Sequence, residues 1–110
     1  MTQPRHVRRH PSAERDIERQ VDWWLTEEFA PIVALKFVDA IEIGLELLRE
    51  HPEVGSESPW PWARELGLRQ WPLHGFENHI LFYRLSEEAI ELVRVVHGAR
   101  RLDTKRPPHV

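Results

Sequence analysis

Cysteine is absent from all 110 residues, which removes a disulfide framework, a thiol nucleophile and a thiolate-bound metal together. Lysine is nearly absent: of 15 basic residues only Lys36 and Lys105 are lysines, leaving 13 arginines. Arginine suits planar, bidentate, partner-facing contacts, although the base composition of the coding sequence is the simpler account of the bias. A large charge of either sign is also missing. The net charge of −3 offers no global field for nucleic acid, since a dedicated phosphate-binding domain carries a clear basic excess. No apolar run approaches membrane-spanning length, and Met1–His10, with Arg5, Arg8 and Arg9, lacks the apolar stretch of a secretory leader. A cytoplasmic protein is the expectation. The seven histidines are scattered, with no helical i, i+4 pair, so no metal or cofactor is expected. Ser12, Ser56, Ser58 and Ser86 lie in no nucleophile-elbow context, and no glycine-rich phosphate loop occurs.

What remains is ordinary globular composition, 41% hydrophobic and 30% charged, sized for one domain over 1–110 with a core at about 5–102 and a tail at 103–110. The pattern predicts an α+β fold. A short strand is expected at residues 5–10. Pro11 fits a first helical position, and Ala13, Ile17, Val21, Trp24 and Leu25 then form one helical stripe that should end near Phe29. A second helix is expected from Pro31 to Glu50. Its main stripe is Val33, Ala34, Phe37, Val38, Ile41, Leu45 and Leu48, while Ile32, Leu35, Ile43 and Leu47 lie off that stripe. The two helices should form an antiparallel hairpin. Residues 52–62, rich in Pro, Ser and Trp, read as a loop. The last third reads as a three-stranded antiparallel meander: Leu66–Trp71, His79–Leu85 and Ala89–His97.

If Phe82 lies opposite Leu92, Leu81, Tyr83, Leu85, Val93 and Val95 share one face of the last hairpin. Ile80, Phe82, Arg84, Ile90, Leu92, Arg94 and Val96 share the other. Both faces are largely apolar, whereas a half-solvated antiparallel sheet alternates apolar with polar. One helical hairpin can cover one face, expected to be that of Leu81 and Tyr83. The other is left for a partner, or for the loop of residues 52–65 or the C-terminal tail. Trp24 belongs to the helical stripe and reads as core, whereas Trp23 is off it. For Trp60 and Trp62, interface anchors and a loop folded on its own sheet look alike in sequence.

Three segments carry a family resemblance. They are Ala13-Glu-Arg-Asp-Ile17 with Trp24; Leu68-Arg69-Gln70-Trp71-Pro72 followed by Gly75-Phe76-Glu77-Asn78-His79-Ile80-Leu81-Phe82-Tyr83-Arg84; and Arg94-Val95-Val96-His97-Gly98-Ala99-Arg100. In this order they resemble the RelE/ParE superfamily of type II toxin–antitoxin toxins (plasmid-stabilisation proteins), in its ParE-like branch. That branch has Asp directly after the terminal Arg. Here Arg101 stands there and Asp103 follows two places later, which puts in doubt any ion pair of the family Asp.

The resemblance implies a non-enzymatic toxin that inhibits DNA gyrase and is neutralised by a cognate ParD-like antitoxin in a hetero-oligomer. His97, Arg100 and Arg101 would form the toxicity surface. Ile32, Leu35, Ile43, Leu47, Ile80, Phe82, Arg84, Leu92 and Arg94 would meet the antitoxin, whose flexible segment would fold on binding. The alternatives are a ribosome-dependent mRNA endoribonuclease of the RelE type and a degenerate member without toxicity. A ribonuclease needs an acid or base near the 2′-hydroxyl and cations around the phosphate, for which His97, Arg69 and Arg84 are the candidates. Against this, a strand position where that branch places a catalytic Arg reads His79-Ile80, and the β region has no lysine. A structural His97 at a strand end, with Gly98 permitting a bend, is the preferred reading.

Overall fold

The computed structural model describes residues 6–98. Its elements are β1 (His6–Arg9), α1 (Pro11–Thr26), α2 (Pro31–Glu50), β2 (Ser56–Glu57), α3 (Pro61–Glu65), β3 (Arg69–Leu73), β4 (Phe76–Leu85) and β5 (Ala89–His97). The expected strand, helical hairpin and meander appear in that order, but the sheet is larger than a three-stranded meander. It has five strands in the order β1-β5-β4-β3-β2. β1 lies parallel to β5, β2 adds to the outer edge of β3, and the remaining pairings are antiparallel. A parallel neighbour needs a long crossover, and β1 reaches β5 through the rest of the chain.

Both long helices begin with proline in the first turn, where the missing N–H would have had no intrahelical partner. α1 stops at Thr26 rather than near Phe29. The chain turns through Phe29 at φ 52°, and the Ala30 N–H donates to the Trp24 carbonyl at 2.8 Å. Glycine usually occupies such a left-handed closure, and an L side chain there costs roughly 1–2 kcal/mol. Phe29 is 81% exposed, so contacts with the other described residues do not offset that cost.

Register is where pattern reading failed. Phe82 lies opposite Arg94 and Tyr83 opposite Leu92, so β5 bulges at Val93. An extra residue in one strand of a pair reverses the facing of the side chains on one side of it relative to those on the other. Ile90 and Leu92 therefore face the helices beside Leu81, Tyr83 and Val95, while Val93 faces away. The bulge is held by α1. β1 ends where the His10 N–H donates to the Leu92 carbonyl at 2.9 Å; the Ser12 hydroxyl then donates to the Val93 carbonyl at 2.6 Å. One turn on, the Asp16 carboxylate accepts the Val95 N–H at 2.8 Å. Ser12 and Asp16 share a helical face at i, i+4, and they continue along β5 where β1 leaves off.

Two cores result. The inner one joins Ala13 and Ile17 of α1, and Phe37, Ile41, Leu45 and Leu48 of α2, to the helix-facing sheet residues. Leu25 and Val38, read as stripe residues, are instead exposed at 44% and 36%. The outer core settles the question of the second face. Trp60, Trp62 and Ala63, together with Leu68, pack on Phe82, Val93 and Val96, with the Trp62 and Phe82 rings 4.8 Å apart. The chain's own loop and α3, which the pattern did not show, cover this face where a partner was expected.

Tyr83 ties that loop to the inner core. Its hydroxyl donates to the Pro52 carbonyl and accepts the Gly55 N–H, both at 2.9 Å, and Arg69 donates to the Gly55 carbonyl at 2.6 Å. A Cβ at Gly55 would collide with the Tyr83 ring and lie 2.8 Å from the Gln70 carbonyl. Burial raises the phenol's pKa above its ordinary value, partly offset by the Gly55 N–H.

Candidate functional site

An apolar groove runs along α2. Residues near 34, 37, 41, 45 and 48 bury one side of this helix in the core. Turning through roughly 100° per residue brings Ile32, Lys36, Asp39, Ile43 and Leu47 to the side turned away from that core, where Ile32 and Ile43 are 61% and 69% exposed. Leu35, 62% exposed, borders that side. Trp71, His74 and Phe76 rise opposite, and the groove between them has a volume of about 410 Å³. Gly44 forms part of its floor; a Cβ there would lie 3.3 Å from Leu81, so glycine lets α2 sit close to the sheet. The sheet edge beside the groove is open. β2 pairs only with Arg69 and Gln70, so Trp71–Leu73 has no outer strand among the described residues. Such an edge is a template for another chain, although Pro72 has no N–H to offer it.

A second concavity, about 350 Å³, adjoins the groove at Phe76 and is lined by Gly75–His79 and His97. His79 is buried there among Trp24, Phe37 and Phe76, with Nε2 3.1 Å from the side-chain Oε1 of Gln20. The His97 ring meets His79 edge-on at 4.8 Å, and its buried Nδ1 has no hydrogen-bond partner among the described residues. This geometry suits packing at a strand end more than a poised base. Arg100 and Arg101, predicted for the toxicity surface with His97, lie outside the described residues.

The three ribonuclease candidates do not converge. Arg69 is turned to the Gly55 carbonyl at the outer edge of β3. Arg84 lies on the face away from the helices, where its Nε donates to Glu91 at 3.0 Å. His97 pairs with His79, five positions along β4 from Arg84, or about 16 Å at strand rise. One phosphate cannot be reached by all three. Arg84 is further committed by a shared acceptor, because His10 also contacts Glu91 Oε1 at 3.1 Å. The Arg84 hydrogen bond, then that of His10, hold the Glu91 carboxyl below its ordinary pKa.

Of the nine residues expected to meet an antitoxin, Ile43 and Leu47 line the α2 groove, and Ile32 and Leu35 are exposed elsewhere on the same helix. Ile80 and Arg84 are partly exposed on the outer face. Phe82 and Leu92 are fully buried, under the tryptophans and the helices respectively. Arg94 is buried as well, its guanidinium bidentate on Asp16 at 2.6 and 2.9 Å. These three have no surface to offer a partner. The sequence pattern alone does not reveal the Asp16–Arg94 pair. The only signal for it was Asp16 on the N-terminal helix motif and Arg94 on the last strand motif, 78 residues apart.

The chain matches the sequence profile described as the ParE toxin of type II toxin-antitoxin system, parDE, over residues 7–102. It belongs to the ParE toxin family. A solved structure, the chromosomal ParDE TA system from P. aeruginosa, superposes with a TM-score of 0.67 at 20% identity, covering 84% of this chain and 95% of that one. At that identity the likeness establishes the fold alone. A comparison with curated proteins gives no match. As a ParE-family member the chain is a type II toxin. The Asp16–Arg94 pair thus joins the first and last of the three sequence segments that resemble ParE toxins. Among its described residues no helix is long and apolar enough to cross a membrane, and no three His, Asp or Glu side chains are grouped to hold a metal ion.

Proposed function

We propose that this ParE-family toxin acts without catalysis, by inhibiting DNA gyrase, and that a ParD-like antitoxin neutralises it in a hetero-oligomer by occupying the α2 groove. The observation that carries the non-enzymatic reading is the dispersal of Arg69, Arg84 and His97 over two faces and two ends of the sheet. RNA cleavage requires those groups around one phosphate. The groove supports the antitoxin half: it is apolar, lined by the exposed Ile43 with Leu47, and flanked by an open strand edge. A flexible segment that folds on binding suits such a track. The effector surface is assigned to His97, Arg100 and Arg101.

The test is a supercoiling assay with purified gyrase, with and without antitoxin, run beside an mRNA-cleavage readout. Inhibition relieved by antitoxin, with intact mRNA, is the expected result. Cleaved mRNA with unaffected gyrase would overturn the proposal and favour the ribonuclease reading, with His97 the first residue to replace. No effect in either assay would identify a degenerate member.

A further inference from the structure

The exposed seam of α2 is complementary to itself. Ile32, Lys36, Asp39 and Ile43 follow the 4-3-4 spacing of a coiled-coil seam, and Ile32 and Ile43 at its ends are 61% and 69% exposed. Lys36 and Asp39, between them, are exposed and form no ion pair with any described residue. Two copies of this helix laid antiparallel about a two-fold axis level with Phe37 and Val38 bring Lys36 of each against Asp39 of the other. They also bring Ile32 of each against Ile43 of the other. An isologous contact of this kind closes on itself and makes every favourable pair twice.

A second observation falls on the same axis. Phe29 comes level with residue 46 of the opposing helix, beside the groove end lined by Ile43, Gly44, Leu47, Trp71 and Phe76. This is the 81% exposed aromatic held in a left-handed turn that glycine would adopt without strain. Strain retained at an exposed side chain is understandable where that side chain has a contact to make, and the groove of about 410 Å³ has room for a phenyl ring.

We propose that a second copy of this chain occupies the α2 groove when antitoxin is absent, giving an antiparallel α2–α2 homodimer with Phe29 of each copy seated in the groove of the other. The dimer shields the same apolar surface that antitoxin is proposed to cover, so the two compete. The proposal does not depend on gyrase being the target.

The test is sedimentation equilibrium of the isolated chain over micromolar to millimolar concentration. The expected mass rises from 13.1 kDa to twice that value and stops there. Lys36→Glu and Asp39→Lys each set like charges opposite one another and are expected to weaken self-association at least tenfold. Mixed one to one, these two variants restore both ion pairs and should form a heterodimer, an outcome that a merely unfolded variant cannot give. Phe29→Gly should weaken the dimer while leaving thermal stability equal or higher. A wild-type mass fixed at 13.1 kDa, a ladder of masses beyond the dimer, or charge variants that associate like wild type would each overturn the proposal. A monomeric wild type whose variants lose antitoxin binding would assign the seam to the antitoxin alone.

Discussion

Replacing Asp16 by Ala removes one side chain and three hydrogen bonds: two from the Arg94 guanidinium, at 2.6 and 2.9 Å, and one from the Val95 N–H at 2.8 Å. The Asp16 and Arg94 side chains are 8% and 6% exposed, so water cannot take the carboxylate's place without opening the α1–β5 contact. Breaking a buried pair by deleting one member costs about 3–5 kcal/mol, because the remaining charge stays desolvated. A domain of this size holds about 5–15 kcal/mol in all, so the variant should sit near the edge of folding. At about 4 °C per kcal/mol the midpoint should fall by about 12–20 °C. The control is the double replacement Asp16→Leu with Arg94→Met, which removes both charges and keeps the volume. Such exchanges are often neutral or stabilising, although the Val95 N–H still loses its acceptor, at about 1–3 kcal/mol. Urea unfolding followed by tryptophan fluorescence measures all of these. An Asp16→Ala loss below about 1 kcal/mol, or a double variant no more stable than the single, would refute the reasoning, because the pair would then not be a desolvated unit.

Tyr83→Phe leaves the Gly55 N–H and the Pro52 carbonyl without the hydroxyl and should cost about 1–3 kcal/mol in the same unfolding assay. Gly55→Ala, which drives a methyl into the Tyr83 ring, should be at least as damaging, read as a lower urea midpoint. The lowered Glu91 pKa gives a pH dependence of definite sign: its stabilising contribution is complete above the ordinary glutamate range and is lost as pH falls through the lower folded value. Arg84→Ala should therefore raise the Glu91 pKa in a carboxyl NMR titration. The stabilities of wild type and variant should converge in acid, from a gap of at most about 1 kcal/mol, since Arg84 is 41% exposed. Replacing Arg100 and Arg101 with Ala should relieve growth arrest while leaving antitoxin binding unchanged in a pull-down, because the groove lies on α2 and β3.

Much of the fold was legible in the sequence because helices announce themselves through short-range periodicity. Pro11, Pro31 and the apolar spacing placed both long helices to within three residues at each end, and the off-stripe Ile32, Leu35 and Ile43 already marked an exposed apolar surface. Strand register is different, because the alternation of a strand has no memory of where it slips. The bulge at Val93 is fixed by Ser12 and Asp16, which lie about eighty positions away, and nothing within β5 signals it. That slip put Leu92 in the core, and Arg94, still opposite Phe82, is taken up by Asp16 of α1, so two residues read as surface were not surface. The tryptophans of the loop could not be assigned for a related reason: an apolar ring satisfies a partner and its own sheet equally well until the path of the chain decides. Local spacing thus determined which segments are helical, which are extended and which helix keeps a bare apolar side. Only the tertiary structure decided what each apolar face meets, because burial depends on groups far along the chain.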